Sequence, residues 1–409
     1  MAHKRLPVFR AILCLCLSVF FSNEPAQAQP AQESLSEAVL WLKNQANTLV
    51  RECRRTLPDG RAVFPPQVGT GYEAFWLRDY AYMLEGAPEA FTEQELRDAL
   101  RIFLDAQQPD GTCVDCVTFD GRPILKPGMG TMGENPVADG SQFLVDVAYC
   151  TWKRLHDGEL LQEILPHLEK ALQAIPIQEP TGLVWIDPEK DWDRCPYGFT
   201  DTVVKKGAEL FSSLLLYQSY LQMAEMERAA GRLKESANYA EKADHLKESI
   251  RNTFWDEQVG LFVAATHQCR QPDIWGSAFA VYLEVATSAQ ARRVAEYFRD
   301  HYSEIVQAGK IRHLPGGMYW ETCKATPGTY QNGGFWGVPV GWFVVALWPV
   351  APELAEKTIL DFIQDSRRRG FAEWVNGDTL RLPRYVASAC APLPGFRVIV
   401  TLQAQGKSP

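Results

Sequence analysis

The sequence predicts an all-α fold: a toroid of about twelve helices in two concentric rings, an (α/α)6 barrel with minor β-hairpins in its loops. Three observations carry that expectation. Polar, glycine-flanked turns recur along the chain, amphipathic segments lie between them, and several segments that follow the turns are apolar nearly all round. With Asp79, Asp139, Asp201, Asp273, Asn332 and Glu373 as markers, the steps are 60, 62, 72, 59 and 41 residues. Six markers imply six units. A helix with one apolar stripe covers a core from outside, whereas a helix apolar on every side lies inside one, so their alternation describes an outer ring around an inner ring. Each marker turn then sits where the chain enters an inner helix, at one mouth of the ring.

The elements follow in order. Lys4, Arg5 and Arg10, the apolar run 11–21 and Ala26-Gln27-Ala28 have the form of a secretion signal cut after Ala28. The run is shorter than the roughly 20 residues that span a bilayer. The expectation is therefore a signal peptide, 1–28, followed by one domain, 29–409, in a secreted or periplasmic location with no membrane contact after cleavage. Leu35, Val39, Leu42, Ala46 and Leu49 form one helical face behind a Ser34…Glu37 capping box, and Thr92…Glu95 caps a second helix carrying Leu96, Leu100, Phe103 and Leu104. Leu161, Leu165, Leu168 and Leu172 make a third, in which Pro166 shifts the start or kinks the axis. Tyr239, Ala243, Leu246 and Ile250 make the fourth, Ala291, Val294, Ala295 and Phe298 the fifth, and Ala355, Ile359, Phe362 and Ile363 the sixth. Residues 210–221 and 338–350 have no polar face and read as inner helices. Phe254-Trp255-Asp256 and Leu261-Phe262-Val263 flank a turn as a β-hairpin. An open solenoid does not fit, because no 34-residue period exists.

Charge and cysteine content exclude other classes. The net charge of −9 becomes −11 once residues 1–28 are removed, the wrong sign for a nucleic-acid binder. Eight cysteines remain, and an exporting route permits disulfides among them. Cys113-Val114-Asp115-Cys116 has CxxC spacing, but neither a second CxxC nor a His pair completes a zinc site. It reads as a loop disulfide or as two structural thiols. The histidines show no metal-ligand spacing, so neither a metal nor an organic cofactor is expected. Gly128-Met129-Gly130-Thr131-Met132-Gly133 lacks the strand and the Lys-Ser/Thr of a phosphate loop and reads as a flexible lip.

The marker turns place Trp76, Trp192, Trp275, Trp320, Trp336 and Trp374 beside Asp, Asn and Gly. Aromatic faces suit the apolar sides of sugar rings, while carboxylates, amides and Arg suit their hydroxyls. Phe75-Trp76-Leu77-Arg78-Asp79 resembles the Trp-x-Arg-Asp signature of glucoamylase-type enzymes. With Asp139-Gly140-Ser141-Gln142-Phe143, Tyr197-Gly198-Phe199-Thr200-Asp201-Thr202, Tyr330-Gln331-Asn332-Gly333-Gly334-Phe335-Trp336 and Glu373-Trp374, the chain resembles the six-hairpin glycosidase superfamily over about residues 34–400. The resemblance implies an exo-acting glycoside hydrolase, commonly inverting, on α-linked glucosides or similar sugars. Arg78 and Asp79 would then hold hydroxyls of the terminal sugar.

Such chemistry needs one carboxyl group to protonate the leaving oxygen and a second to activate water. Asp201, after Tyr197 and Phe199, is the candidate acid, with Asp191 and Asp193 beside Trp192 as competitors. Glu373 is the candidate base, with Glu321 and Glu134 as rivals. Trp76, Arg78, Asp79, Asp139, Trp192, Asp193, Trp275, Gln331, Asn332 and Trp336 are the candidate substrate-binding residues. The partner expected is an oligosaccharide or glycoside. A lyase, a phosphorylase using Lys205 and Lys206, an epimerase and a non-catalytic glycan binder are the alternatives.

Overall fold

The structure, a computed structural model, describes residues 33–128, 131–133, 138–189 and 201–406. The proposed signal segment lies outside these residues. In chain order the helices are α1 (Leu35–Cys53), α2 (Leu77–Gly86), α3 (Glu93–Asp105), α4 (Gly140–Leu155), α5 (Gly158–Gln173), α6 (Leu210–Ala229) and α7 (Leu233–Phe254). There follow α8 (Ile274–Tyr282), α9 (Ser288–Asp300), the single turn α10 (Tyr302–Ile305), α11 (Val340–Leu347), α12 (Pro352–Arg369), α13 (Val386–Cys390) and α14 (Leu393–Ala404). Packing sorts them into two rings. Helix α2 packs on α4, α4 on α6, α6 on α8, α8 on α11 and α11 on α14, and α13 returns to α2. Around this closed inner ring lie α1, α3, α5, α7, α9 and α12, so the fold is the (α/α)6 toroid.

Local chemistry explains the boundaries. Ser34, Thr92 and Thr287 each accept a hydrogen bond from the third backbone N–H of their helix, and Glu37, Glu95 and Gln290 reciprocate. Helix α5 starts at Gly158, where the Asp157 carboxylate accepts from two backbone N–H groups, and it runs through Pro166. The cap, and not the proline, therefore sets its start. Helices α6, α8 and α11 carry buried residues on all sides. The stretch Val386–Ala404 is long and apolar enough to cross a bilayer by length and composition alone. In this fold it packs on α1, α2 and α11.

Ring closure depends on glycines. A Cβ at Gly86 would lie 2.2 Å from the Cys390 carbonyl oxygen, and one at Gly395 would lie 2.2 Å from that of Gly341. The final inner helices thus approach backbone to backbone. Gly395→Ala is expected to lower stability by about 1–3 kcal/mol through overpacking, read by urea unfolding. An unchanged midpoint would show that α14 can move aside freely.

Short antiparallel strands occupy the rim. The hairpin of Trp255–Asp256 with Leu261–Phe262 is where the sequence places it. A five-stranded sheet was not legible: Val306–Gln307, Lys310–Arg312, Phe335–Trp336, Trp374–Asn376 and Thr379–Arg381 pair in that order. It joins the fifth and sixth marker turns by pairing Trp336 with Trp374. A second sheet pairs Ala74–Trp76 with Cys116–Thr118, and the latter with Pro123–Ile124. The strands Lys126–Gly128 and Thr131–Gly133 pair antiparallel in the stretch expected to be a flexible lip. Cys113 and Cys116 are buried free thiols, which selects the second of the two readings of that spacing.

Candidate active site

Helix α2 begins at Leu77, so Arg78 and Asp79 lie in its first turn, inside the ring and buried. The neighbouring sheet brings Asp115 to the same helix end: the Leu77 N–H donates to the Asp115 carbonyl at 2.9 Å. The Arg78 guanidinium lies 2.7 Å from the Asp115 carboxylate and 3.9 Å from those of Asp79 and Asp139. Its proton is held more tightly than usual, since three anions outweigh the burial that opposes its charge. Burial pushes the Asp115 carboxyl up to about 7 even with Arg78 beside it, helped by the charges of Asp139, Asp201 and Asp79. Asp79 is also raised by burial, although Arg78 and a hydrogen bond from the Tyr385 hydroxyl favour its ionised form.

Tyr72, Trp76, Arg78, Asp79, Asp201, Tyr330, Trp336 and Tyr385 line one pocket. Five of these residues are aromatic. Tyr72 meets Trp76 edge to face with ring centroids 5.7 Å apart, and the Trp336 indole donates to the Tyr330 carbonyl at 3.1 Å. The buried Trp76 Nε1 has no hydrogen-bond partner among the described residues, which leaves a donor at the pocket wall.

Glu373 reaches this pocket through Tyr72, whose hydroxyl donates to Glu373 Oε1. Its backbone N–H donates to the Arg381 carbonyl at 2.9 Å, one residue before the strand that pairs with Phe335–Trp336. Glu373 is 3% exposed. Burial pushes its carboxyl up to about 8, the charges of Asp79 and Asp201 add to the effect, and the Tyr72 hydrogen bond opposes it. Asp201 is half-buried and lines the cavity itself. Gln331 Nε2 donates to Asp201 Oδ1 at 3.1 Å, while Gln331 Oε1 accepts from the Thr202 N–H at 3.0 Å. Carboxyl groups crowded around one buried cation do not all ionise together, and burial keeps protons on Glu373 and Asp115 near neutrality.

Several expected binding residues have other places. Trp275 is 1% exposed, packs face to face on His313 with centroids 3.4 Å apart, and donates to the Ile311 carbonyl at 3.3 Å, so it is a core residue. Asp139 stands behind Arg78 and does not line the pocket. Both ends of the Asn332 amide hold its own loop, Oδ1 accepting from the Trp320 N–H and Nδ2 donating to the Ala325 carbonyl, each at 2.9 Å. Gln331 acts on Asp201 and does not line the pocket. Glu321 is exposed and accepts from the Cys269 N–H at 2.9 Å. Asp191, Trp192, Asp193 and Glu134 lie outside the described residues. Lys205 pairs with Glu209 at 2.6 Å, both fully buried, so it offers a phosphorylase no anion pocket. Tyr72, Asp115 and Tyr385 escaped the sequence reading. The signals were present in Gly71-Tyr72 and in the acid between Cys113 and Cys116, but nothing in the sequence ties them to Glu373, Arg78 or Asp79. No cluster of three His, Cys, Asp or Glu side chains suited to a metal occurs among the described residues.

An α/α barrel with a carboxyl-rich, aromatic-walled pocket at one mouth is the architecture of the six-hairpin glycosidases. The chain belongs to the family described as the bacterial α-L-rhamnosidase six-hairpin glycosidase domain, whose model matches residues 73–311. No curated protein matches it in sequence. Among solved structures it resembles a rhamnosidase from Klebsiella oxytoca with rhamnose bound, at a TM-score of 0.62 and 17% identity, over 92% of this chain and 66% of that one. It also resembles a GH78 family rhamnosidase of Bacillus sp. GL1, at a TM-score of 0.57 and 15% identity, over 91% of this chain and 35% of that one. A GH63 mannosylglycerate hydrolase from Thermus thermophilus, in complex with glucose, gives a TM-score of 0.61 and 14% identity, over 87% of this chain and 99% of that one. The chain thus spans under two thirds of the two rhamnosidases.

Proposed function

We propose that this chain is an exo-acting glycoside hydrolase that releases a terminal α-linked sugar with inversion, and that an α-L-rhamnoside is its substrate. One observation carries the proposal: Asp79 and Asp201 line a single aromatic pocket with the buried Arg78, and Glu373 joins it through Tyr72. The α-glucoside expected from the sequence gives way to the rhamnoside because of the family match. The lining agrees, since a 6-deoxy sugar presents a methyl group where glucose presents a hydroxyl, and five of the eight lining side chains are aromatic.

Burial sorts the two roles. In an exo-acting pocket the leaving group points to the mouth and the attacking water lies on the inner side of the ring. Asp201, half-buried at the wall, then gives its proton to the glycosidic oxygen as the C1–O bond breaks. Glu373, more buried and held behind the wall by the Tyr72 hydroxyl, takes a proton from water as the new C1–O bond forms. A proton affinity near the working pH suits a general base. Neither an organic cofactor nor a metal enters these steps. Residues 29–409 act as one catalytic domain, and the protein works outside the cytoplasm after cleavage at Ala28, a site that N-terminal mass determination of the exported protein would establish.

The base must be ionised to act, so kcat/KM rises with pH towards about 8 on the limb that Glu373 sets. Tyr72→Phe removes a donor that favours the carboxylate, which moves that limb upwards by about one pH unit. A limb that stays in place would remove Glu373 from the base role. The function itself is tested with 4-nitrophenyl α-L-rhamnoside, α-D-glucoside and α-D-mannoside, following product configuration by NMR. Inert wild-type protein that still binds glycan would leave only a binding role.

A further inference from the structure

The inner ring holds a second constellation that the pocket does not use. Where α2, α4 and α6 converge, Glu85, Gln142, Asp146, Gln218, Gln222 and Trp342 are among the residues lining an enclosed cavity. Glu85 lies six residues beyond Asp79 on α2, and Asp146 seven beyond Asp139 on α4. At 1.5 Å per residue the cavity is about 10 Å further along the barrel than the Arg78 cluster. Its lining is rich in oxygen and holds no Lys or Arg, and no cation acts on Glu85 or Asp146 among the described residues.

The amide groups are oriented. Gln142 is 1% exposed, and its Nε2 donates to the Ala138 carbonyl at 2.9 Å and the Ser212 carbonyl at 3.3 Å. Both N–H bonds are used, so the amide cannot turn over without losing them, and Oε1 is left without a hydrogen-bond partner. Gln222 is 7% exposed; its Nε2 donates to Asp146 Oδ1 at 2.5 Å, and its Oε1 is likewise without a partner. Buried carbonyl oxygens in native proteins find a donor or a cation, because leaving them unpaired is costly. Here two such oxygens share a cavity with two carboxyl groups. Burial raises the proton affinity of both acids, and Asp146 adds its charge against Glu85. Hard divalent cations of the larger kind take six to eight such oxygens in flexible geometry, completed by water.

We propose that Glu85, Asp146, Gln142 and Gln222 form a structural calcium site in the barrel interior, one ion per chain, which ties α2, α4 and α6 together beneath the catalytic pocket. Glu85 is the half-buried acid of the pair and Asp146 the buried one. The site is independent of the proposed hydrolysis and can fail while that reading stands.

Chelator-treated full-length protein at pH 8 provides the test. One millimolar Ca2+ is expected to raise Tm by about 3 °C or more. Tb3+ should show luminescence sensitised by the lining Trp342, saturating at one ion per chain and displaced by Ca2+. Glu85→Gln/Asp146→Asn removes both effects. Gln222→Met, which keeps the side-chain length, weakens Ca2+ binding about tenfold and covers the case in which the double variant fails to fold. Absence of any Ca2+-dependent shift in the wild type, an equal shift with Na+ alone, or an unchanged shift in both variants overturns the site. The two acids would then be a proton-sharing pair.

Discussion

Asp201→Asn and Glu373→Gln are each expected to lower kcat/KM on the responsive glycoside by about 10²–10⁴-fold, the range lost when a general acid or base is removed. The two losses differ in kind. Without the acid, C1–O cleavage depends on the leaving group, so Asp201→Asn should keep most of its rate on a dinitrophenyl glycoside and lose it on an alkyl one. Without the base, the leaving group is still protonated but no water is activated. Azide, which needs no deprotonation, should therefore restore turnover in Glu373→Gln and yield a glycosyl azide of inverted configuration. The reverse pattern exchanges the two roles. Wild-type rates in both variants would falsify the assignment of this pocket as the reaction centre. The hydrogen bond from Gln331 to Asp201 gives an internal control, because Gln331→Leu should reproduce part of the Asp201 loss without touching the sugar.

Arg78→Ala is expected to produce the largest loss of stability. The guanidinium is 5% exposed and faces Asp79, Asp115 and Asp139, all buried. Removing the cation from such a cluster leaves uncompensated buried charge, a cost of about 3–5 kcal/mol. The sign of its pH dependence follows from linkage. Asp115 already holds its proton up to about 7, well above an unfolded aspartate, and loss of Arg78 raises it further. A carboxyl with a raised folded-state pKa favours the fold at low pH, and that contribution is lost as pH rises through the raised value. The deficit of Arg78→Ala should therefore grow between pH 5.5 and 8 in urea unfolding. Adding Asp115→Asn should recover part of it, and Arg78→Lys, which keeps a charge, should lose less. A deficit below about 1 kcal/mol that does not change with pH would show that water reaches the cluster.

The helical parts of this protein were legible because their signals are local. Ser34 and Glu37 lie on one turn, Leu35 to Leu49 repeat on one face, and residues 210–221 carry no polar stripe. Spacing alone then implied six units and a common mouth. The rim was legible only in part. Strands of two or three residues, such as Phe335–Trp336 and Trp374–Asn376, leave no periodicity, yet they set where Glu373 stands. Trp275 and Asn332 were misplaced for a related reason: a turn with Trp, Asn and Gly reads the same whether its side chains face a ligand or close on their own backbone.

The sequence by itself determined an all-α ring with acids and aromatics at its turns, because helix caps, apolar periods and turn residues act over a few positions and need no partner elsewhere. Only the tertiary structure decided which of those residues share a pocket. The hydrogen bonds from Tyr72 to Glu373, from Tyr385 to Asp79 and from Gln331 to Asp201 cross 301, 306 and 130 residues. The proton affinities of Glu373 and Asp115 are likewise set by burial and by neighbours brought close when the ring closes. Both are properties of distance in space, which separation along the chain does not encode.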